Sequence, residues 1–193
     1  MKMVQEPKKL NKYLYPLVKA WSKRDKSETK TNAGGGWHSP TSMNLHTEYK
    51  PLIDELFAMQ YEIFKDYGME PKPGLGNMWA NINYPGSYNK QHLHPNSQWS
   101  GVYYIKVPKN SGNLFVEDPR PGPNIILPRR LNGLPRPLWR VVIYEAVEGQ
   151  MIMFPGWLSH GVEINESKEK GEKGWRVSVS FNFVQINKEE KVG

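Results

Sequence analysis

The stretch Tyr84-Pro-Gly-Ser-Tyr-Asn-Lys-Gln-His92-Leu-His94-Pro-Asn-Ser-Gln-Trp-Ser-Gly-Val-Tyr-Tyr104 decides how this chain is read. Two of the five histidines stand here one residue apart. On an extended segment that spacing puts both imidazoles on one face of a strand. A metal needs convergent ligands, and His-x-His is the shortest way for a strand to supply two. A third histidine, His160, closes the apolar run Met151-Ile-Met-Phe-Pro-Gly-Trp-Leu-Ser-His160. Arg176 then opens the alternating segment Arg176-Val-Ser-Val-Ser-Phe-Asn-Phe183. A histidine pair, a distant histidine and a basic residue at a strand start, in that order, need a common explanation.

Outward from this stretch, the 193 residues fit one domain with a substantial core, residues 1–193. No run of eighteen apolar residues occurs, so no membrane-spanning helix is expected. The start, Met-Lys-Met-Val-Gln-Glu-Pro-Lys-Lys-Leu, has no apolar signal region, and cysteine is absent. Disulfides, thiolate ligands and a cysteine nucleophile are thereby excluded, and a reducing, cytoplasmic location is the expectation. The formal charge of +7 raises the question of nucleic acid. The lysines cluster from Lys8 to Lys30 and from Lys168 to Lys191, as solvated ends do, and no nucleic-acid-binding motif is visible.

Helical spacing of Leu10, Leu14, Leu17, Val18 and Trp21 predicts a helix over 9–23. A polar loop follows over 22–36, and His38 and His46 read as ordinary loop histidines. Leu52, Leu56, Met59, Ile63 and Tyr67 form the stripe of a second helix over 48–67, with Gly68 as its C-cap. The remainder reads as strands: 78–84, 100–107, 114–117, 141–147, 151–154 and 176–185. Proline and glycine exclude regular structure from Arg120 to Pro137, a long loop of the kind that covers sites. Its arginines, Arg120, Arg129, Arg130 and Arg136, would suit an acidic substrate. The expected fold is mainly β with flanking helices, a double-stranded β-helix (jelly roll, cupin-like). The helical part would span about residues 9–70 and the jelly-roll core about 76–186.

On the last strand Arg176, Ser178, Ser180 and Asn182 share one face, and Val177, Val179, Phe181 and Phe183 the other. If the polar face lines the barrel interior, a guanidinium and a hydroxyl two residues apart would grip a carboxylate. Imidazole ligands with open coordination positions are the pattern of non-haem iron oxygenases.

Tyr84-Pro-Gly, His92-x-His94, Val102-Tyr-Tyr-Ile, Asn110-Ser-Gly-Asn-Leu, Phe154-Pro-x-x-x-x-His160 and Arg176-x-Ser178 follow one another in the chain. In that order they resemble the 2-oxoglutarate- and Fe(II)-dependent oxygenase superfamily, in its prolyl-4-hydroxylase-like branch. The chain is most similar there to oxygenases of bacteria and their phages, through Gly35-Gly36-Trp37, His92 to Pro95, Ser100 to Tyr104 and Asp118 to Arg120. The likeness covers about residues 31 to 186. It implies Fe(II), 2-oxoglutarate and O2 as cofactors, with His92 and His160 as iron ligands. It gives Arg176 the salt bridge to the C5 carboxylate of 2-oxoglutarate, and Ser178, Tyr104 and Tyr84 hydrogen bonds to it. The cosubstrate would leave as succinate and CO2, and an unidentified small molecule or protein side chain would be hydroxylated.

One position departs from the superfamily, which has an acidic residue where this chain has His94. Spacing favours His94 as the third ligand, in catalysis as in metal binding, and a carboxylate such as Asp118 or Glu117 is the alternative. A cupin-like metalloprotein working without 2-oxoglutarate would also use three histidines, but leaves Arg176 and Ser178 unexplained. A non-catalytic ligand-binding barrel is the third reading.

Overall fold

The computed structural model describes residues 1–25, 32–33, 35–69, 73–120 and 140–185. Helices α1 (Pro7–Arg24) and α2 (Lys50–Asp66) accompany strands β1 (Lys2–Met3), β2 (Asn32–Ala33) and β3 (Trp37–His38). There follow β4 (Pro73–Asn83), β5 (Tyr88–His92), β6 (Trp99–Lys106), β7 (Leu114–Glu117) and β8 (Val141–Tyr144). The last are β9 (Gln150–Pro155), β10 (His160–Val162) and β11 (Arg176–Gln185). One sheet runs β1-β9-β6-β11-β4-β3 and the other β2-β5-β10-β7-β8, every pairing antiparallel. Together they make the double-stranded β-helix.

Side-chain parity decides which face of the six-stranded sheet meets the helices. On β11, Val177, Val179, Phe181 and Phe183 are fully buried, and on β4 so are Met78, Ala80 and Ile82. They form one core with Leu14 and Val18 of α1 and Leu52, Leu56, Met59 and Phe64 of α2. Truncating any of these leucines to Ala would cost about 2 to 5 kcal/mol. The opposite parity, Trp79, Asn81 and Asn83 with Arg176, Ser178 and Ser180, faces the second sheet. On β6 the register with β11 slips, so that Ser178 pairs Tyr104 while Val177 pairs Lys106. Tyr103 and Ile105 therefore join the helix-side core, and Tyr104 packs with Leu114, Ile152 and Phe154 between the sheets.

Both expected helices are present within two residues of their expected ends. Gly68 stops α2 at a φ of +64°, with Met69 N–H donating to Phe64 O at 2.8 Å. Phe64 replaces Tyr67 on the buried stripe, leaving Tyr67 69% exposed. The six expected strands appear as β4, β6, β7, β8, β9 and β11, whereas β3, β5 and β10 carry no periodicity that marks them. The expected Arg120–Pro137 loop lies, beyond Arg120 itself, outside the described residues. No helix among the described residues is long and apolar enough to cross a membrane.

Candidate active site and metal centre

The short strands set the histidines. β10 pairs antiparallel with β5 in a register that places His160 opposite His92, and their ring centroids lie 4.4 Å apart. His94 comes just after β5 ends, so a turn and not strand periodicity brings it in. His94 N–H donates to Gly156 O at 3.0 Å and Gly156 N–H to Gln98 O at 3.1 Å. These bonds clamp the segment after β5 onto the turn between β9 and β10. A Cβ at Gly156 would lie 2.2 Å from Ser97 O, so only glycine lets the two segments approach this closely.

The result is a cluster of His92, His94 and His160 whose nearest ring nitrogens all lie within 4.8 Å of one another. His92 is exposed, His94 half-buried and His160 buried. His92 Nδ1–H donates to Lys90 O at 2.7 Å and His160 Nδ1–H to Leu158 O at 2.8 Å. Each bond leaves the Nε2 lone pair of that ring open for a metal. Burial is the main cause of His94 being pushed down to about 3, with repulsion from His160 and His92 adding to it. Burial likewise takes His160 down to about 4. Both rings are neutral near pH 7, the state that ligates.

The triad opens on a cavity of about 330 Å³ between the sheets, which Arg176, Ser178 and Tyr104 also line. Arg176 is 1% exposed, and its Nη1 donates to the carbonyls of Ser111 and Gly112 at 2.8 and 2.9 Å. No carboxylate forms an ion pair with it among the described residues. Burial lowers Arg176 to about 10 and raises the Tyr104 phenol to about 12. At pH 7 the guanidinium is thus charged and the phenol neutral, so Tyr104 cannot balance the cation. Glu163 attracts it only from beyond ion-pair distance, and a carboxylate entering the cavity would meet a buried cation that this leaves incompletely balanced. Three imidazoles and a buried guanidinium with no ion pair among the described residues, in one cavity, are the donor set that a divalent metal with a dicarboxylate requires. The residues fit the group.

Tyr84 is not brought to the cavity. Its ring packs on Trp175 at 5.2 Å and joins the helix-side core. The two carboxylates weighed as alternative ligands are engaged elsewhere. Asp118 holds Arg120 through two oxygens, and Glu117 accepts from Arg140 at 2.8 Å and from Gln91. Both are absent from the cavity lining: Glu117 takes the parity of β7 opposite to Leu114 and Val116, and Asp118 lies beyond the end of the strand. His38, read as a loop histidine, instead lies buried on β3 and lines the cavity. It stacks on Trp79 with centroids 5.5 Å apart, and Trp79 lies 5.9 Å from His94. The neighbouring Trp37 marks His38 only indirectly, by taking the helix-side face of the same strand.

A search of curated proteins finds no match. Among solved structures the fold is similar to a Pseudomonas putida prolyl-4-hydroxylase, with 14% identity over 93% of this chain and 88% of that one, TM-score 0.61. It is similar also to a 2OG-Fe(II) oxygenase family oxidoreductase from Burkholderia pseudomallei, at 15% identity over 90% and 79%, TM-score 0.58. The viral collagen prolyl hydroxylase of Paramecium Bursaria Chlorella virus-1 matches at 12% identity over 90% of both chains, TM-score 0.52. At such identities these likenesses are of fold alone. The family model described as "Putative 2OG-Fe(II) oxygenase" matches residues 77–182, more than half of the chain and inclusive of the histidine triad and Arg176. The chain belongs to this family of oxygenases, whose cofactors are Fe(II), 2-oxoglutarate and O2.

Proposed function

We propose that the protein hydroxylates a C–H bond of a small molecule or a protein side chain, with 2-oxoglutarate as cosubstrate. The observation that carries this reading is Arg176, a buried guanidinium without a carboxylate partner among the described residues, in the same cavity as the triad. His92, His94 and His160 would hold the iron. Bound iron and 2-oxoglutarate supply the oxidation: one atom of O2 enters the substrate as hydroxyl, the other enters succinate, and CO2 leaves.

This chain's own residues bind and orient. Arg176 is fixed by the carbonyls of Ser111 and Gly112, which leaves the rest of its planar fork for the C5 carboxylate. Ser178 pairs Tyr104 across β11 and β6 and both line the cavity with Arg176, so their hydroxyls would donate to that carboxylate. Tyr104 stays protonated over the whole physiological range and can only donate to an anion. Leu114, Phe154 and Val162 give the cavity apolar walls that keep water from the reacting groups. The described residues act as parts of one oxygenase domain in this reading, with both helices as its outer support.

The test is an aerobic incubation of the purified protein with Fe(II), 2-oxoglutarate and a cell extract as substrate source. Succinate that depends on iron and accompanies a mass gain of about 16 Da in an extract component is the expected outcome. Iron-loaded protein that consumes no 2-oxoglutarate under these conditions would overturn the proposal.

A further inference from the structure

His94 differs from its two partners in which nitrogen carries the proton. His92 and His160 each turn Nδ1–H to a backbone carbonyl, which fixes the ligating tautomer. His94 Nδ1 instead faces the side-chain amide of Asn182, accepting from Nδ2 at 3.2 Å. Its Nε2 lies 3.2 Å from His160 Nε2, which has no proton of its own to give. The proton therefore sits on His94 Nε2, the nitrogen that would have to take a metal. Ligation requires the proton on Nδ1 and an acceptor facing it.

Strand register provides that acceptor. β11 pairs Asn182 with Asn77 of β4 on one side and with Ser100 of β6 on the other, a row of three polar side chains under His94. Asn182 Oδ1 accepts from Ser100 Oγ at 2.6 Å, and its Nδ2 donates to Asn77 Oδ1 at 2.7 Å. Asn182 is 4% exposed, and every group in the row is able both to donate and to accept. Turning both amides over keeps the row bonded: Asn77 then donates to Asn182 Oδ1, and Asn182 Nδ2 donates to Ser100. Oδ1 now faces His94 and accepts from Nδ1–H. The proton moves from Nε2 to Nδ1 of one ring, with no change of charge.

We propose that Asn182 is the positioning residue that lets His94 pass between this metal-free tautomer and the ligating one, a role that rests on the metal-centre reading above. Asn182→Asp offers only acceptors to Ser100, Asn77 and His94, and would lock Nδ1–H in place. Asn182→Leu offers nothing.

The experiment is nitrogen NMR of the histidine rings in metal-free and Zn(II)-loaded protein, together with Mn(II) titration by calorimetry. Metal-free wild type should show His94 protonated on Nε2, and metal-free Asn182→Asp should show it on Nδ1. Asn182→Leu should bind Mn(II) about 10- to 100-fold more weakly than wild type, as loss of a partner to a ligating histidine does. Asn182→Asp should bind it at least as tightly as wild type. The same His94 tautomer in metal-free wild type and Asn182→Asp would overturn the proposal, as would wild-type Mn(II) affinity in Asn182→Leu. If Asn182→Leu does not fold, the Asp comparison decides alone. Wild-type protein that takes up no Mn(II) would contradict the metal centre instead, while the metal-free spectra would still report on Asn182.

Discussion

An imidazole ligates only through a lone pair, and the three histidines reach that state by different means. Backbone carbonyls fix His92 and His160, while burial and mutual repulsion keep His94 and His160 uncharged. His160→Ala removes the most buried ligand and should abolish Mn(II) uptake measured by elemental analysis; full occupancy would refute the triad. His94→Asp restores the acidic residue usual in the superfamily and should retain the metal. Loss of metal in that variant would argue that His94 stands outside the centre. At this scale the sequence was legible in side-chain type, as in His92-x-His94, although a turn and not the strand spacing brings His94 to the cluster. The parity of β4 already opposed Tyr84, since it shares a face with Ala80 and Ile82 and not with Asn81 and Asn83. His38 could not be found this way, because what brings it to the cavity is the pairing of β3 with β4.

Elements deliver the histidines, and the weakest-patterned elements deliver them most directly. β11 and β4 announce themselves by alternation because one of their faces packs against helices. β5, Tyr88–His92, reads as polar because its outward face is solvated and its inward face lines the site. β10 has three residues, too few for any period. Its position follows from the turn at Gly156, where the two ligand-bearing segments touch. Gly156→Ala would force a Cβ against Ser97 O and move His94 relative to His160. Mn(II) affinity by calorimetry should fall about 10- to 100-fold, the scale on which displaced ligand support acts. Far-ultraviolet circular dichroism should stay that of wild type. Unchanged metal affinity would show that this approach does not set the geometry of the triad.

The whole molecule separates two jobs by the two faces of one sheet. Apolar residues of β4, β6 and β11 bind the helices on the outside, and the interleaved Trp79, Asn81, Ser178 and Ser180 line the cavity. A sheet with a polar face usually exposes it to water; here the second sheet covers it, which is why Arg176 is charged and yet 1% exposed. That enclosure was inferable from the order of strands but not from β11 alone, whose alternation suits a solvent-facing strand equally well. The central claim is that this enclosed guanidinium receives the C5 carboxylate of 2-oxoglutarate, and calorimetric titration of Mn(II)-loaded protein with 2-oxoglutarate tests it most directly. Arg176→Ala should weaken binding by about 30- to 1000-fold, the equivalent of roughly 2 to 4 kcal/mol for a charge-assisted pair, with Mn(II) binding nearly unchanged. Wild-type affinity for 2-oxoglutarate in Arg176→Ala would contradict it.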